Sequence, residues 1–221
     1  ERPGALARPG DPGTDDARPP MKIVQATNVD FSLRQFVLPL MRALRGRGHD
    51  VLGVSSDGPL LDEVRAEGFR VAAIPFARSL SPSAHVRAYR DMLALLRAEK
   101  PDLLHAHMPI SGFLSRMAGW RAGVPRIAYT CHGYLFNQDT GLPLRLAGWA
   151  MEAVAARATD VYMTVSATEA ADARRLLIRR DAVPVGNGRD PAVFRPDPAA
   201  RARIRARSEE HTSELQSPYV I

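Results

Sequence analysis

From residue 21 to about residue 190, short apolar runs alternate with stretches of helical periodicity. That alternation limits the fold more than any other feature of the chain. KIVQA at 22–26 reads as a strand, and Asn28, Asp30 and Ser32 then offer capping side chains ahead of a helix over 33–47 that Gly48 stops. HDVLGVS at 49–55 is the next strand. Pro59 opens a short helix that Gly68 ends, and RVAAI at 70–74 is a third strand. Val86, Tyr89, Met92 and Leu96 lie three or four apart, one face of a helix that ends before Pro101. Further strands are predicted at 102–105, 126–130, 160–165 and 182–185, with helices at 109–122, 144–157 and 167–177. Strands joined by helices of this length require right-handed crossovers. The expected fold is therefore α/β, a doubly wound, mostly parallel, Rossmann-like sheet of about seven strands covered on both faces.

The two ends break the pattern. Residues 1–20 hold five Pro and three Gly with hardly any large apolar side chain, so they are expected to form a disordered extension ahead of Met21. Residues 21–190 are the expected domain, and 191–206 the start of a linker. AARARIRA at 199–206 keeps the Ala/Arg style of the chain, but RSEEHTSELQS from Arg207 drops alanine altogether and resembles the in-frame translation of a sequencing adapter. Residues 207–221 are thus expected to be a non-native tail, with the natural chain continuing differently. One cysteine, Cys131, excludes an internal disulfide framework and fits a reducing, cytoplasmic setting. No run approaches the ~20 apolar residues of a membrane-spanning helix, and no basic-then-apolar leader is visible at the N-terminus.

Residues 21–206 carry 26 basic against 17 acidic side chains, almost all of the excess being arginine. The arginines are scattered and not interleaved with aromatics, which argues against nucleic acid as a partner. Phosphate on a substrate or on an anionic membrane fits better. Over 33–47, Phe36, Val37, Leu40 and Leu44 are expected to share one side. Arg34, Arg42, Arg45 and Arg47 would then be available for peripheral contact with lipid headgroups.

In an open parallel sheet, ligands gather beyond the carboxyl ends of the strands. Asn28 and Asp30 follow the first strand at a helix N-terminus, and His105 and His107 follow the fourth. Cys131, His132 and Gly133 follow the fifth, Ser166 the sixth, and Asn187 the seventh. No G-x-G-x-x-G and no G-x-x-x-x-G-K-[ST] occurs, which weighs against dinucleotide dehydrogenases and P-loop enzymes. Three of the six histidines fall on this one edge, where imidazole can bond a sugar hydroxyl or a phosphate. His107, His132 and Asn28 are expected to line one cleft. His105-x-His107 could also face a metal ion, as in a zinc hydrolase, but no third ligand suggests itself and no metal is expected. Cys131 and His132, as strand neighbours, should point to opposite faces, so Cys131 reads as a small buried residue and not as a nucleophile.

The ordered set KIVQATN, HDVLGVSSDGPLLDEVRAEGFRVAAIPF, PDLLHAHMPISGFLSRMAG, TCHGY, VSATEAADARRL and GNGRDPAVFRPD resembles the N-terminal domain of glycosyltransferase family 4 enzymes of GT-B architecture. The likeness is greatest to bacterial members that build surface polysaccharides or glycolipids. The resemblance implies retaining transfer from a nucleotide-sugar donor, itself a substrate, with no cofactor and no obligatory metal. His132 matches the family histidine that contacts the transferring sugar. Asn28, Asp30, His105, His107, Gly133, Ser166 and Asn187 are the implied acceptor-side or substrate-binding positions. The acceptor would be a sugar or a lipid-linked sugar, and the enzyme would be cytoplasmic, or peripheral at the inner face of the plasma membrane. The chain departs from the family pattern in lacking a Gly-Gly in its first loop. The donor-binding carboxylates and cations belong to a C-terminal domain outside this chain, so the fragment is expected to be inactive alone. Three other readings stay open: a fragment of a nucleotide-sugar epimerase of the same fold, a metal-dependent hydrolase using His105 and His107, and a non-catalytic module that binds phosphorylated lipid carriers.

Overall fold

The computed structural model of the chain describes residues 19–76, 81–137, 141–188, 197, 199–200 and 203–204. The expected tail at 207–221, most of the extension at 1–20 and most of the linker at 191–206 lie outside the described residues. The chain divides at Gly186 into a large unit and a C-terminal one beginning at Asn187. In the large unit, β1 (Lys22–Ala26), β2 (Asp50–Ser55), β3 (Arg70–Ala73), β4 (Leu103–His107), β5 (Arg126–Cys131), β6 (Val161–Thr164) and β7 (Val183–Pro184) form one sheet in the order β3-β2-β1-β4-β5-β6-β7. Every pairing is parallel, so all seven carboxyl ends lie along one edge.

The two faces are covered unequally. Val24, Ala26, Leu52, Val54 and Leu104 point to the face where α4 (Pro82–Glu99) and α5 (Pro109–Ala122) pack through Ala88, Met92, Leu96, Leu114 and Ala118. Further along this face, Tyr129, Cys131 and Tyr162 meet α6 (Leu142–Arg157) and α7 (Ala167–Arg175). Among the described residues, the other face receives the segment after β1 and α3 (Leu60–Ala66), whose Leu33, Met41, Leu61 and Val64 pack on Val51 and Phe69. Gly53 in β2 makes this possible, since a Cβ there would sit 3.1 Å from both Leu33 and Met41. Beyond β5, Val161, Val183 and Val185 on the same face are 44–51% exposed among the described residues.

The segment after β1 differs from a plain helix. It runs as α1 (Asp30–Ser32), a π-helical turn (Leu33–Val37) and α2 (Leu38–Gly46). Pro39 has no N–H to donate to the preceding turn, and the wider π turn shifts the helical register by about one residue. Leu33, Leu38 and Met41 are buried as a result, while Leu40, expected on the packed side, is 37% exposed. Three of the four arginines of this segment, Arg34, Arg42 and Arg45, are engaged within the fold. Arg34 meets Glu63 at 2.8 Å, Arg42 meets Glu67 at 2.7 Å, and Arg45 donates to the Glu67 carbonyl at 2.7 Å. Arg45 also lies 3.9 Å over the Phe69 ring. On α4, Ala88, Met92 and Leu96 form the buried stripe, while Val86 is 48% exposed.

Candidate functional site

Register decides which side chains meet at the carboxyl edge. Gln25 pairs with His105 across β1 and β4, and His107 pairs with Thr130 across β4 and β5. Side chains alternate along a strand, so Gln25, His105, His107, Thr130 and His132 all project to the unequally covered face. The Nε2 of His105 lies 2.8 Å from the Thr130 hydroxyl, and the Nε2 of His107 lies 2.9 Å from Gln25 Oε1. The Nδ1 of His107 is 3.3 Å from His132 Nε2. The His105 and His107 rings are 4.0 Å apart and the His107 and His132 rings 5.6 Å apart. His105, His107 and Gln25 are buried, whereas His132 is half-buried. Burial, helped by the neighbouring His132, pushes His105 down to about 3. Burial and the flanking histidines likewise hold His107 well below 6.5. The inner pair is therefore neutral, and His132 is the member through which the cluster reaches solvent.

The surroundings fix this arrangement tightly. Phe36, on the π turn, brings its ring to 6.5 Å from His132; such turns recur beside functional sites. Immediately after His107, Met108 adopts φ 67, ψ 158, a region almost reserved for glycine, and the following Pro109 keeps it extended. The strained corner swings α5 directly over the strand end. There Ser111 donates to the His107 carbonyl at 3.0 Å, and a Cβ on Gly112 would lie 2.6 Å from the Tyr129 ring. Gly133, at φ 103, turns the chain away after His132.

The other expected residues divide. Asn28 follows β1 at the same edge, its carbonyl accepting from Ser56 N just after β2 at 3.0 Å, and its buried Oδ1 has no partner among the described residues. Asp30 works as a clamp: its carboxylate accepts from Phe31 N at 2.7 Å and from Leu60 N at 3.1 Å. The carboxylate fills the space where a Gly58 Cβ would lie. Ser166 caps α7, accepting from Glu169 N at 3.1 Å while Glu169 accepts from Ser166 N at 3.1 Å. Asn187 is exposed and belongs to the C-terminal unit. Cys131 is buried on the opposite face from His132, and burial, with Glu152 and Glu169 nearby, raises its thiol pKa far above the ordinary range. A metal would find His105 and His107 already engaged by Thr130, Gln25 and His132, and no group of three or more His, Cys, Asp or Glu is placed to hold a metal ion among the described residues. Two members of the cluster, Gln25 and Thr130, were not singled out from sequence. A lone amide inside the apolar run KIVQA was the available signal, because a buried amide needs a partner.

Residues 33–188 match the glycosyl transferase 4-like domain family. The chain belongs to this family. It is 26% identical over 151 residues to the EpsD protein of Bacillus subtilis (strain 168), covering 66% of this chain and 38% of EpsD. It is 31% identical over 103 residues to the UDP-Gal:alpha-D-GlcNAc-diphosphoundecaprenol alpha-1,3-galactosyltransferase of Escherichia coli, covering 46% of this chain and 26% of that enzyme. The chain thus spans well under half the length of both relatives. The crystal structure of a glycosyltransferase from Rickettsia africae ESF-5 superposes with a TM-score of 0.59 at 14% identity, over 88% of this chain and 51% of that one. Solved UDP-GlcNAc 2-epimerases share the fold as well, so membership rests on the family match and not on the fold alone. For a glycosyl transferase 4-like domain, the histidine cluster at the carboxyl edge is the natural candidate site.

Proposed function

We propose that this chain is the acceptor-side domain of a retaining, nucleotide-sugar-dependent glycosyltransferase of bacterial surface polysaccharide or glycolipid synthesis. The carrying observation is the half-buried His132 standing on a neutral histidine pair held by Thr130 and Gln25, at the edge where a parallel sheet receives ligands. A neutral imidazole there can bond a sugar hydroxyl without confronting a buried charge. The nucleotide sugar serves as a substrate, so no resident cofactor is needed. The acceptor is a sugar or a lipid-linked sugar, in keeping with the diphosphoundecaprenol-linked substrate in the name of the Escherichia coli relative.

Transfer builds negative charge on a leaving diphosphate, and stabilising it requires positioned cations or N–H groups whose loss costs about 3–4 kcal/mol each. We assign that task to a second domain beyond this chain. The test is to incubate residues 21–206 with a polyprenyl-diphosphate sugar and a panel of nucleotide sugars. Acceptor binding that weakens in His132→Ala, with no transfer, supports the division of labour. Transfer at about 1–1,000 s⁻¹, the range of intact enzymes, overturns it.

For localisation, the proposal is a cytoplasmic enzyme in peripheral contact with the inner face of the plasma membrane; no helix among the described residues is long and apolar enough to cross one. Arg34, Arg42 and Arg45 are engaged by α3 and its neighbours, so any lipid contact by this segment shares those cations with Glu63 and Glu67. Liposome sedimentation tests it: binding indifferent to salt and to anionic lipid content would refute it.

A further inference from the structure

Helix α6 carries an apolar stripe that outruns the fold. Leu142, Leu146, Trp149, Ala153 and Ala156 follow one another at steps of four and three residues, so they share one side of the helix. Ala156 and Ala153 are 2% and 8% exposed. From there exposure climbs to 40% at Trp149, 56% at Leu146 and 66% at Leu142. The stripe that packs on the fold in the C-terminal half of α6 thus stands uncovered in the N-terminal half. Other sides of this half are bare as well. Leu144, about 200° round the helix from Leu142, is exposed, as are Pro143 and Ala147. Within 142–151 the single charged residue is Arg145, and the next acid along the helix, Glu152, is sealed against Arg116. The projecting half is held in place: Arg145 donates to the Phe136 carbonyl at 3.0 Å, and the Trp149 indole N–H to the Leu176 carbonyl at 3.0 Å.

We propose that residues 142–149 of α6 insert into the surface of an anionic lipid bilayer. A docked polypeptide covers one side of a helix, whereas side chains exposed on opposite sides of the same two turns call for an apolar medium around them. Eight residues make about 12 Å of helix, enough to enter the headgroup boundary to a depth of ~5–10 Å. The composition fits that depth. An indole ring settles at the level of the headgroups, and an arginine reaches a phosphate while its methylene stem stays among apolar groups. No acid within 142–151 repels anionic lipid, and the net charge of +6 draws the chain to such a surface. Arg34, Arg42 and Arg45 are already engaged by Glu63 and Glu67, so α6 is the anchor and the segment after β1 is not. Position adds to this. Helix α6 joins the parallel strands β5 and β6 and runs against them, so its N-terminal end stands at the carboxyl edge, with only residues 133–141 between it and His132. Insertion there brings the histidine cluster to the bilayer surface, where the head of a lipid-linked sugar lies. That purpose rests on the glycosyl-transfer reading; the insertion itself does not.

The two tryptophans serve as opposed probes. Trp149 lies on the proposed anchor, whereas Trp120, 64% exposed near the C-terminal end of α5, lies toward the amino edge of the sheet. Whole chains keeping one or the other, Trp120→Phe and Trp149→Phe, are titrated with vesicles of equal parts phosphatidylcholine and phosphatidylglycerol. Trp149 emission is expected to move to shorter wavelength and to be quenched by brominated acyl chains, with Trp120 emission unmoved. Leu142→Ser combined with Leu146→Ser should weaken vesicle partition about tenfold or more, and leave the urea midpoint unchanged because both side chains are exposed. Trp149 indifferent to vesicles, Trp120 responding as strongly, or a double variant that binds like the wild type would each overturn the anchor. So would a dimer in sedimentation equilibrium that the double variant abolishes, since the ridge would then belong to a second copy. Should the double variant fail to fold, the tryptophan probes decide alone. Insertion through α6 in a chain that binds no lipid-linked sugar would discard the functional proposal and leave this one standing; acceptor binding without insertion would do the reverse.

Discussion

Two buried polar clusters flank the same sheet, and they solve the problem of burial in opposite ways. On the α4–α7 side, Arg116 and Glu152 meet at 2.9 Å with side-chain exposures of 0% and 7%. Tyr162 donates to the same carboxylate at 2.9 Å, and the guanidinium stacks 3.6 Å over the Tyr129 ring. Burial works against the arginine charge, but Glu152 and the tyrosines more than offset it and hold the guanidinium above its ordinary range. On the other side, His105 and His107 remain uncharged and are satisfied by a threonine, an amide and a third histidine. The ionic cluster is sealed under α5 and α6, whereas the neutral one opens at one end through His132. A charged network locks two helices onto a sheet; a neutral one can be left partly open, because no ion is stranded when a ligand comes or goes.

The largest expected effect breaks the sealed cluster. Glu152→Leu strands Arg116 and should cost about 3–5 kcal/mol in urea unfolding, while Arg116→Met combined with Glu152→Leu should cost much less. Equal losses in the single and double variants would mean that the cluster is held by shape and not by charge.

Acid sharpens the contrast on the histidine side. Both buried histidines have native values below the 6.5 of an exposed imidazole, with His105 at about 3. Between those limits the unfolded chain takes up protons that the folded chain refuses. Their stabilising contribution is therefore complete above about pH 6.5 and is lost as pH falls. His105 should contribute a slope of about 1.4 kcal/mol per pH unit between about 3 and 6.5, and His107 adds to the loss below 6.5. His105→Asn should flatten the pH dependence of the urea midpoint accordingly, and parallel profiles would show that His105 is not held neutral.

Two smaller effects concern the edge itself. Ser166→Ala removes a two-way cap on α7 and should cost about 1 kcal/mol of stability, with acceptor binding unchanged if Ser166 serves structure alone. His132→Ala should cost less than about 1 kcal/mol of stability, since the residue is only half-buried. Its acceptor affinity should nonetheless fall about tenfold, or ~1.4 kcal/mol. A His132→Ala chain that unfolds readily would assign the residue to the core and not to the open end of the cluster.

Much of this architecture is readable from local pattern. The alternation of KIVQA, HDVLGVS, RVAAI and their successors with helical periods predicts the parallel sheet and its single carboxyl edge, and the structure forms strands at each place. The same reasoning puts His105, His107 and His132 together and turns Cys131 away, because period-two alternation and parallel register are local consequences of sequence. Other features depend on neighbours distant in the chain. Asp30 and Ser166 stand in the sequence as candidate ligand positions, and only the approach of Gly58, and of Glu169 in its helical turn, reveals the clamp and the cap they form. The π turn at Leu33–Val37 rotated the arginines toward Glu63 and Glu67, which no periodicity in the segment reveals. Gln25 is the clearest case. From sequence it is one amide in an apolar strand; its role follows from lying 2.9 Å from a histidine 82 residues away. Sequence by itself determined which side chains reach the edge of the sheet, since backbone geometry enforces that residue by residue. Tertiary structure decided which of them bond to one another, since hydrogen bonds depend on distances of a few tenths of an ångström that only the packed fold fixes.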